Sequence, residues 1–177
     1  CPFIISKATQ GVGSNAMVDS TLESFIQGCE QNKIPYYLYV YLNVGNEKAQ
    51  AEYLVSVCKP LVGSYFRGYA LDIEAGNTAS AVKEALDYIK TQSKKTLLYT
   101  NWSQYYTYKS VIDGRGADCA WWEARYGQNT GELSMLCHDE VDLHQYTSVG
   151  TCPGIGTGEV DMNRLTGTKP ESWFTSP

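Results

Sequence analysis

The chain has 177 residues, 43% hydrophobic and 19% charged, with nineteen acidic residues against fourteen basic ones for a formal net charge of −5. This length argues for one domain able to bury a substantial core, and the composition excludes disorder. Mean hydropathy is −0.31; charged residues or glycine interrupt every apolar run, so no membrane span is expected, and the acidic balance argues against nucleic acid or an anionic membrane as the main partner.

In chain order, Cys1-Pro2-Phe3-Ile4-Ile5 is already strand-like, with no basic region or small-residue cleavage site that would mark a signal peptide. Residues 3–6 give the first strand. Gly11 to Ala16 fits the G-x-G-x-x-A dinucleotide pattern, but the helix it should open starts only near Ser20, and Glu30 lies inside that helix instead of ending a second strand. No dinucleotide site is read there. Leu22, Phe25, Ile26 and Cys29 fall at i, i+3, i+4 and i+7, one face of a helix, with Ser20 and Glu23 as its capping box. Ala51, Leu54, Val55 and Cys58 repeat the pattern behind Asn46 as N-cap, and Val82, Ala85, Leu86 and Ile89 repeat it again. A short helix is expected within 102–111. Aromatic and β-branched runs at 36–42, 68–74, 96–101, 119–126, 141–147 and 160–163 supply the remaining strands.

Strands alternating with helices predict an α/β domain with a largely parallel sheet. Seven strands are counted, whereas a closed (β/α) barrel uses eight and roughly 250 residues. The pattern therefore predicts either an open sheet or a TIM-like barrel short of its first strand. Residues 1–165 form the expected domain, and 166–177 read as a tail or linker stub.

The segment Gly68-Tyr-Ala-Leu-Asp-Ile-Glu74 carries the most chemistry. Alternate strand residues share a face, their Cα atoms roughly 6.5–7 Å apart, so Asp72 and Glu74 point one way while Leu71 and Ile73 face the helices. Paired carboxylates at the C-terminal end of a parallel strand sit where such barrels keep their active sites, and crowding separates their pKa values so that one can hold a proton near neutral pH. A structural ion pair with Lys7, Arg67 or Arg125, or a divalent-metal site, is the alternative reading. Asp161, after the Gly-rich stretch 153–158, is a second acidic candidate. Tyr39, Tyr99, Trp122, Tyr126 and Tyr146 fall at or near strand ends, where rings serve as packing or as a sugar-stacking groove. Fourteen tyrosines make that groove worth looking for.

The six cysteines stand at 1, 29, 58, 119, 137 and 152, none at CxxC spacing, and their pairing is left open. Cys29 and Cys58 lie on apolar helix faces, as buried thiols do. Cys137, His138, His144 and Cys152 match no zinc template, so no metal and no cofactor is expected. The two histidines lack the context of a Ser or Cys nucleophile, and Asn101-Trp-Ser103 is a formal glycosylation sequon.

Seven motifs in order carry a family resemblance: Phe-Ile-Ile-Ser-Lys-Ala-Thr-Gln-Gly (3–11), Ile-Pro-Tyr-Tyr-Leu-Tyr-Val-Tyr (34–41), Leu-Asp-Ile-Glu (71–74), Leu-Tyr-Thr-Asn (98–101), Trp-Glu-Ala-Arg-Tyr (122–126), Gln-Tyr-Thr-Ser (145–148) and Gly-Glu-Val-Asp-Met-Asn (158–163). The chain resembles the glycoside hydrolase family 25 muramidases, the Chalaropsis-type lysozymes, over nearly its whole length. The resemblance implies an irregular β/α barrel that hydrolyses the β-1,4 bond between N-acetylmuramic acid and N-acetylglucosamine in peptidoglycan, without a metal. It implies Glu74 as general acid, Asp72 as stabiliser of positive charge or guide of the substrate's 2-acetamido group, and Asp161 as a shaper of the site. Tyr39, Tyr99, Trp122, Tyr126 and Tyr146 would line the glycan groove. It further implies action outside the cell or on the wall, often beside a wall-binding domain in a longer chain. The family begins with a strand ending in an Asp-x-Ser type motif that has no counterpart in this sequence. Gln10 stands where the family usually has Glu, Val40 where His is common, and His144 where Trp is common. A catalytically silent glycan-binding barrel and a metal-dependent phosphoesterase using Asp72, Glu74 and a histidine are the competing readings.

Overall fold

A computed structural model describes residues 1–154 and 158–177; the middle of the Gly-rich stretch therefore lies outside the described residues. The sheet comprises β1 (Ile4–Gln10), β2 (Met17–Val18), β3 (Tyr36–Tyr41), β4 (Phe66–Ile73), β5 (Lys95–Asn101), β6 (Cys119–Ala124), β7 (Leu143–Gly150) and β8 (Val160–Leu165). Its order is β2-β1-β3-β4-β5-β6-β7-β8, parallel from β1 to β7, with antiparallel β2 and β8 at the two edges. This is an eight-stranded curled half-barrel. All seven expected strands are present. The added strand, β2, is two exposed residues long and has no period to read.

Helices α1 (Leu22–Asn32), α2 (Glu47–Cys58), α3 (Ala79–Lys90) and α4 (Tyr105–Asp113) cover the convex face. Their apolar stripes pack on Tyr36, Leu38, Val40, Leu71, Ile73, Leu98 and Trp121, every second residue of the strands. The α1 cap differs from the expected Ser20 box: Thr21 is the N-cap, and Asp19 Oδ1 accepts from the Thr21 amide at 2.8 Å and its hydroxyl at 2.6 Å. Asn46 does cap α2, but through a left-handed backbone (φ 58°) with no side-chain hydrogen bond. Thr78 caps α3 by accepting from Ala81 N.

The concave face has its own cluster, of Phe3, Tyr37, Ala70, Leu97, Tyr99, Ala120, Trp122, Ala124, Leu143 and Phe174. Small residues alternate there with rings because a curled sheet leaves little room on its inside. Gly68 belongs to this close packing, since a Cβ on it would come 1.9 Å from the Lys95 carbonyl oxygen. Residues 166–177, expected to be a tail, carry a short helix, α5 (Glu171–Thr175). It closes the floor of the half-barrel: Phe174 is fully buried and stacks on Phe3 at 5.0 Å, while Tyr37 Oη donates to the Phe174 carbonyl at 3.0 Å. Arg67 Nε donates to the Thr175 carbonyl at 2.6 Å. Five residues between prolines and serines are too few to show a helical period, so only packing reveals them.

Candidate active site

With its floor closed by Phe174, the concave face opens at the C-terminal ends of the strands into a groove of about 480 Å³. Period-two alternation sets what enters it. On β4, Ala70 and Asp72 follow one another on the inner face and Glu74 continues it just past the strand end, while Leu71 and Ile73 are fully buried on the outer face. Tyr39 from β3, Tyr99 from β5, Trp122 from β6 and Asp161 from β8 reach the same groove by the same rule, as does Tyr126 just beyond β6.

The two carboxyls at the end of β4 live in different surroundings. Asp72 is buried and Glu74 exposed at the mouth. Burial, then the neighbouring charge of Glu74 and its side chain within hydrogen-bonding reach, push the Asp72 carboxyl up to about 8, against a partial opposing pull from Lys7. Asp72 thus holds a proton near neutral pH and faces a second carboxyl. Its Oδ1 is enclosed and has no hydrogen-bond partner among the described residues. Asp161, on the opposite lip, is raised by partial burial and then by Glu74.

The rings are fixed by hydrogen bonds. Gln145 Oε1 accepts from Tyr99 Oη at 2.9 Å and from Tyr126 Oη at 2.5 Å, and Trp122 Nε1 donates to Asn163 Oδ1 at 2.8 Å. Tyr99 and Trp122 meet edge to face at 4.5 Å. Burial raises the phenols of Tyr39, Tyr99 and Tyr126, so they act as neutral donors and stacking surfaces.

Tyr146 is not among the groove residues. Leu143 and Gln145 line the groove, so Tyr146 falls on the other face of β7, where its ring meets His144 edge-on at 6.4 Å. The Cys137, His138, His144 and Cys152 quartet is also dispersed. His138 Nδ1 bonds Glu123 Oε2 at 2.6 Å. His144 is wedged between the Arg125 carbonyl (2.9 Å) and Arg164 Nε (3.0 Å), and Cys152 lines the groove. All six cysteines are free thiols. Asn101 of the sequon uses its Oδ1 to cap a short 3-10 turn, accepting from Ser103 N at 3.0 Å.

The family profile described as Glycosyl hydrolases family 25 matches residues 1–155. The chain belongs to glycosyl hydrolase family 25. Solved structures agree on the fold. The catalytic domain of endolysin ply40, from a bacteriophage of Listeria monocytogenes, is 27% identical with a TM-score of 0.76, over 94% of this chain and 82% of that one. GHIP, a glycosyl hydrolase 25 of Streptococcus pneumoniae, gives 20% and 0.78 over 97% and 81%. A family GH25 lysozyme from Aspergillus fumigatus gives 16% and 0.69 over 98% and 88%. No curated protein matches the sequence at a significant level.

In this family 25 chain the groove is also lined by Gln145 and Asn163, which sequence reasoning did not assign to it, and by Lys7, which it raised only as an ion-pair partner of the carboxyls. Lys7 Nζ donates to Gln10 Oε1 at 2.6 Å and lies 5.5 Å above the Tyr41 ring, which sets the groove's cation opposite its carboxylates. For Asn163 the signal was available, since it shares strand parity with Asp161 on β8.

Proposed function

We propose that the groove is the active site of a peptidoglycan muramidase, cleaving the β-1,4 bond between N-acetylmuramic acid and N-acetylglucosamine. The observation that carries this reading is a buried, proton-holding carboxyl beside a solvent-facing one, on the inner face of β4 and ringed by hydrogen-bonded aromatics.

The roles follow from the surroundings. A sugar ring lying in the groove lined by Trp122 and Tyr99 brings its 2-acetamido N–H toward the Asp72 carboxyl. That bond favours ionised Asp72 and moves the shared proton onto Glu74. Glu74 then protonates the glycosidic oxygen as the bond to the anomeric carbon breaks, and Asp72 offsets the positive charge or steers the acetamido oxygen onto that carbon. Water supplies hydroxide to the anomeric carbon and returns a proton to Glu74, which closes the cycle. Asp161 keeps the field at the mouth negative, which favours a proton on the pair. The half-barrel, with α5 as its floor, is the catalytic unit in this reading, and its place of work is the cell wall or the space outside the cell. The similar LytC and Cpl-1 structures are described as modular, and a wall-binding module in a longer parent chain belongs to the same proposal.

The test is the identity of the new chain end. Purified peptidoglycan digested with the chain and reduced with borohydride should yield N-acetylmuramitol. N-acetylglucosaminitol, or no new reducing ends, would overturn the reading.

A further inference from the structure

A second depression, of about 380 Å³, lies on the rim beside the groove, walled by Asn101, Trp102, Arg125, Tyr126 and Met135. Tyr126 forms a wall of both depressions, so a branch on a ligand lying in the groove passes directly into the second. Arg125 follows Ala124 and takes the outward parity of Trp121 and Glu123, which lifts its guanidinium over the rim. Its Cζ lies 4.2 Å over the Trp102 ring, and Nη1 is held by the Leu136 carbonyl at 2.6 Å. Ion pairs among the described residues use Lys48, Lys83, Lys90, Lys109, Arg115 and His138, and none uses Arg125. A guanidinium bedded on an aromatic face keeps its in-plane N–H edge free for a carboxylate.

Trp102 is 40% exposed, yet its ring is a bed and not an open sugar platform: it carries Arg125 and lies near-parallel to His138 at 5.7 Å. The groove itself concentrates Asp72, Glu74 and Asp161, and its Lys7 is engaged by Gln10. An anionic substituent is therefore repelled from the groove and attracted to the rim. Peptidoglycan differs from plain amino-sugar polymers in carrying acidic peptide branches on alternate sugars. We propose that Arg125 on its Trp102 bed is a carboxylate subsite for that peptide branch; the proposal rests on the muramidase reading above.

The test compares two soluble tetrasaccharides, one with L-Ala-D-Glu branches and one with the same carboxyls amidated, titrated calorimetrically at pH 7 into the Glu74→Gln chain so that nothing turns over. The free acid should bind about tenfold tighter, with the preference shrinking as salt rises. Adding Arg125→Gln should bring the ratio near one, while Arg125→Lys should keep part of it. A ratio of one before Arg125 is changed, or a preference that survives Arg125→Gln, would overturn the subsite. Reducing-end release by the unmodified chain is measured in parallel. Hydrolysis with a ratio of one sinks the subsite alone, whereas a preserved ratio without hydrolysis sinks the muramidase reading and leaves the carboxylate site standing.

Discussion

The two faces of the β-sheet obey opposite rules. On the outer face Leu71, Ile73, Val40 and Leu98 are wholly buried under helices, and any apolar side chain of similar volume would serve there. On the inner face the same strands carry Ala70, Asp72, Tyr39 and Tyr99, where polar groups are buried and their partners are specific. One strand, β4, thus contributes to a hydrophobic core with its odd residues and to a reactive groove with its even ones. The contrast teaches that chemistry here is placed by parity, and that the inner face gives up packing stability to hold a carboxyl out of water.

The largest way to sharpen this contrast is Asp72→Asn. Hydrolysis should fall by at least ~10²-fold, within the range for loss of an acid–base partner, while the folded protein becomes more stable at neutral pH. The sign follows from linkage. The fold raises the Asp72 pKa from 3.8 to about 8, so the unfolded chain releases this proton first and stability declines as pH rises across that interval. Asn does not titrate, so the melting-temperature gap between variant and parent should widen from pH 4 to pH 8. A constant gap would contradict the burial argument.

Phe174→Ala probes the floor. Removing a fully buried ring should cost ~3–5 kcal/mol, at roughly 2–4 °C of melting temperature per kcal/mol for a chain of this size. Turnover below the new melting point should survive, because the ring lies at the opposite end of the half-barrel from the carboxyls. Thermal denaturation with an activity assay at low temperature checks both halves. The smallest effect is expected from Tyr126→Phe. Gln145 Oε1 keeps its bond from Tyr99, so KM should rise only ~2–5-fold, the worth of one hydrogen bond, with kcat nearly constant in steady-state kinetics.

Much of this was legible in the sequence because helix and strand periods were clean. The i, i+3, i+4, i+7 faces located α1, α2 and α3, and alternation put Asp72 and Glu74 on one side of β4 before any coordinates. The same alternation argues against Tyr146 as a groove residue once Gln145 is assigned inward, but an aromatic near a strand end draws attention that a glutamine does not. Strand β2 and helix α5 escaped because two and five residues cannot display a period; Phe174 is buried through contacts with Phe3 and Tyr37, over 130 residues away in sequence. The capping of α1 was misplaced by one residue because Asp19, Ser20 and Thr21 all suit a helix start, and the turn in which Asp19 Oδ1 accepts from Thr21 makes Thr21 the N-cap. The rim site at Arg125 was invisible for a related reason: its meaning depends on Trp102, which comes from a different strand end.

The most direct measurement of the central claim is reducing-end release from purified peptidoglycan by the chain and by Glu74→Gln side by side, each checked for an unchanged fold by circular dichroism. The account predicts hydrolysis by the parent chain and a loss of ~10³-fold or more in the variant. A folded Glu74→Gln chain that still releases reducing ends at the parent rate would contradict it.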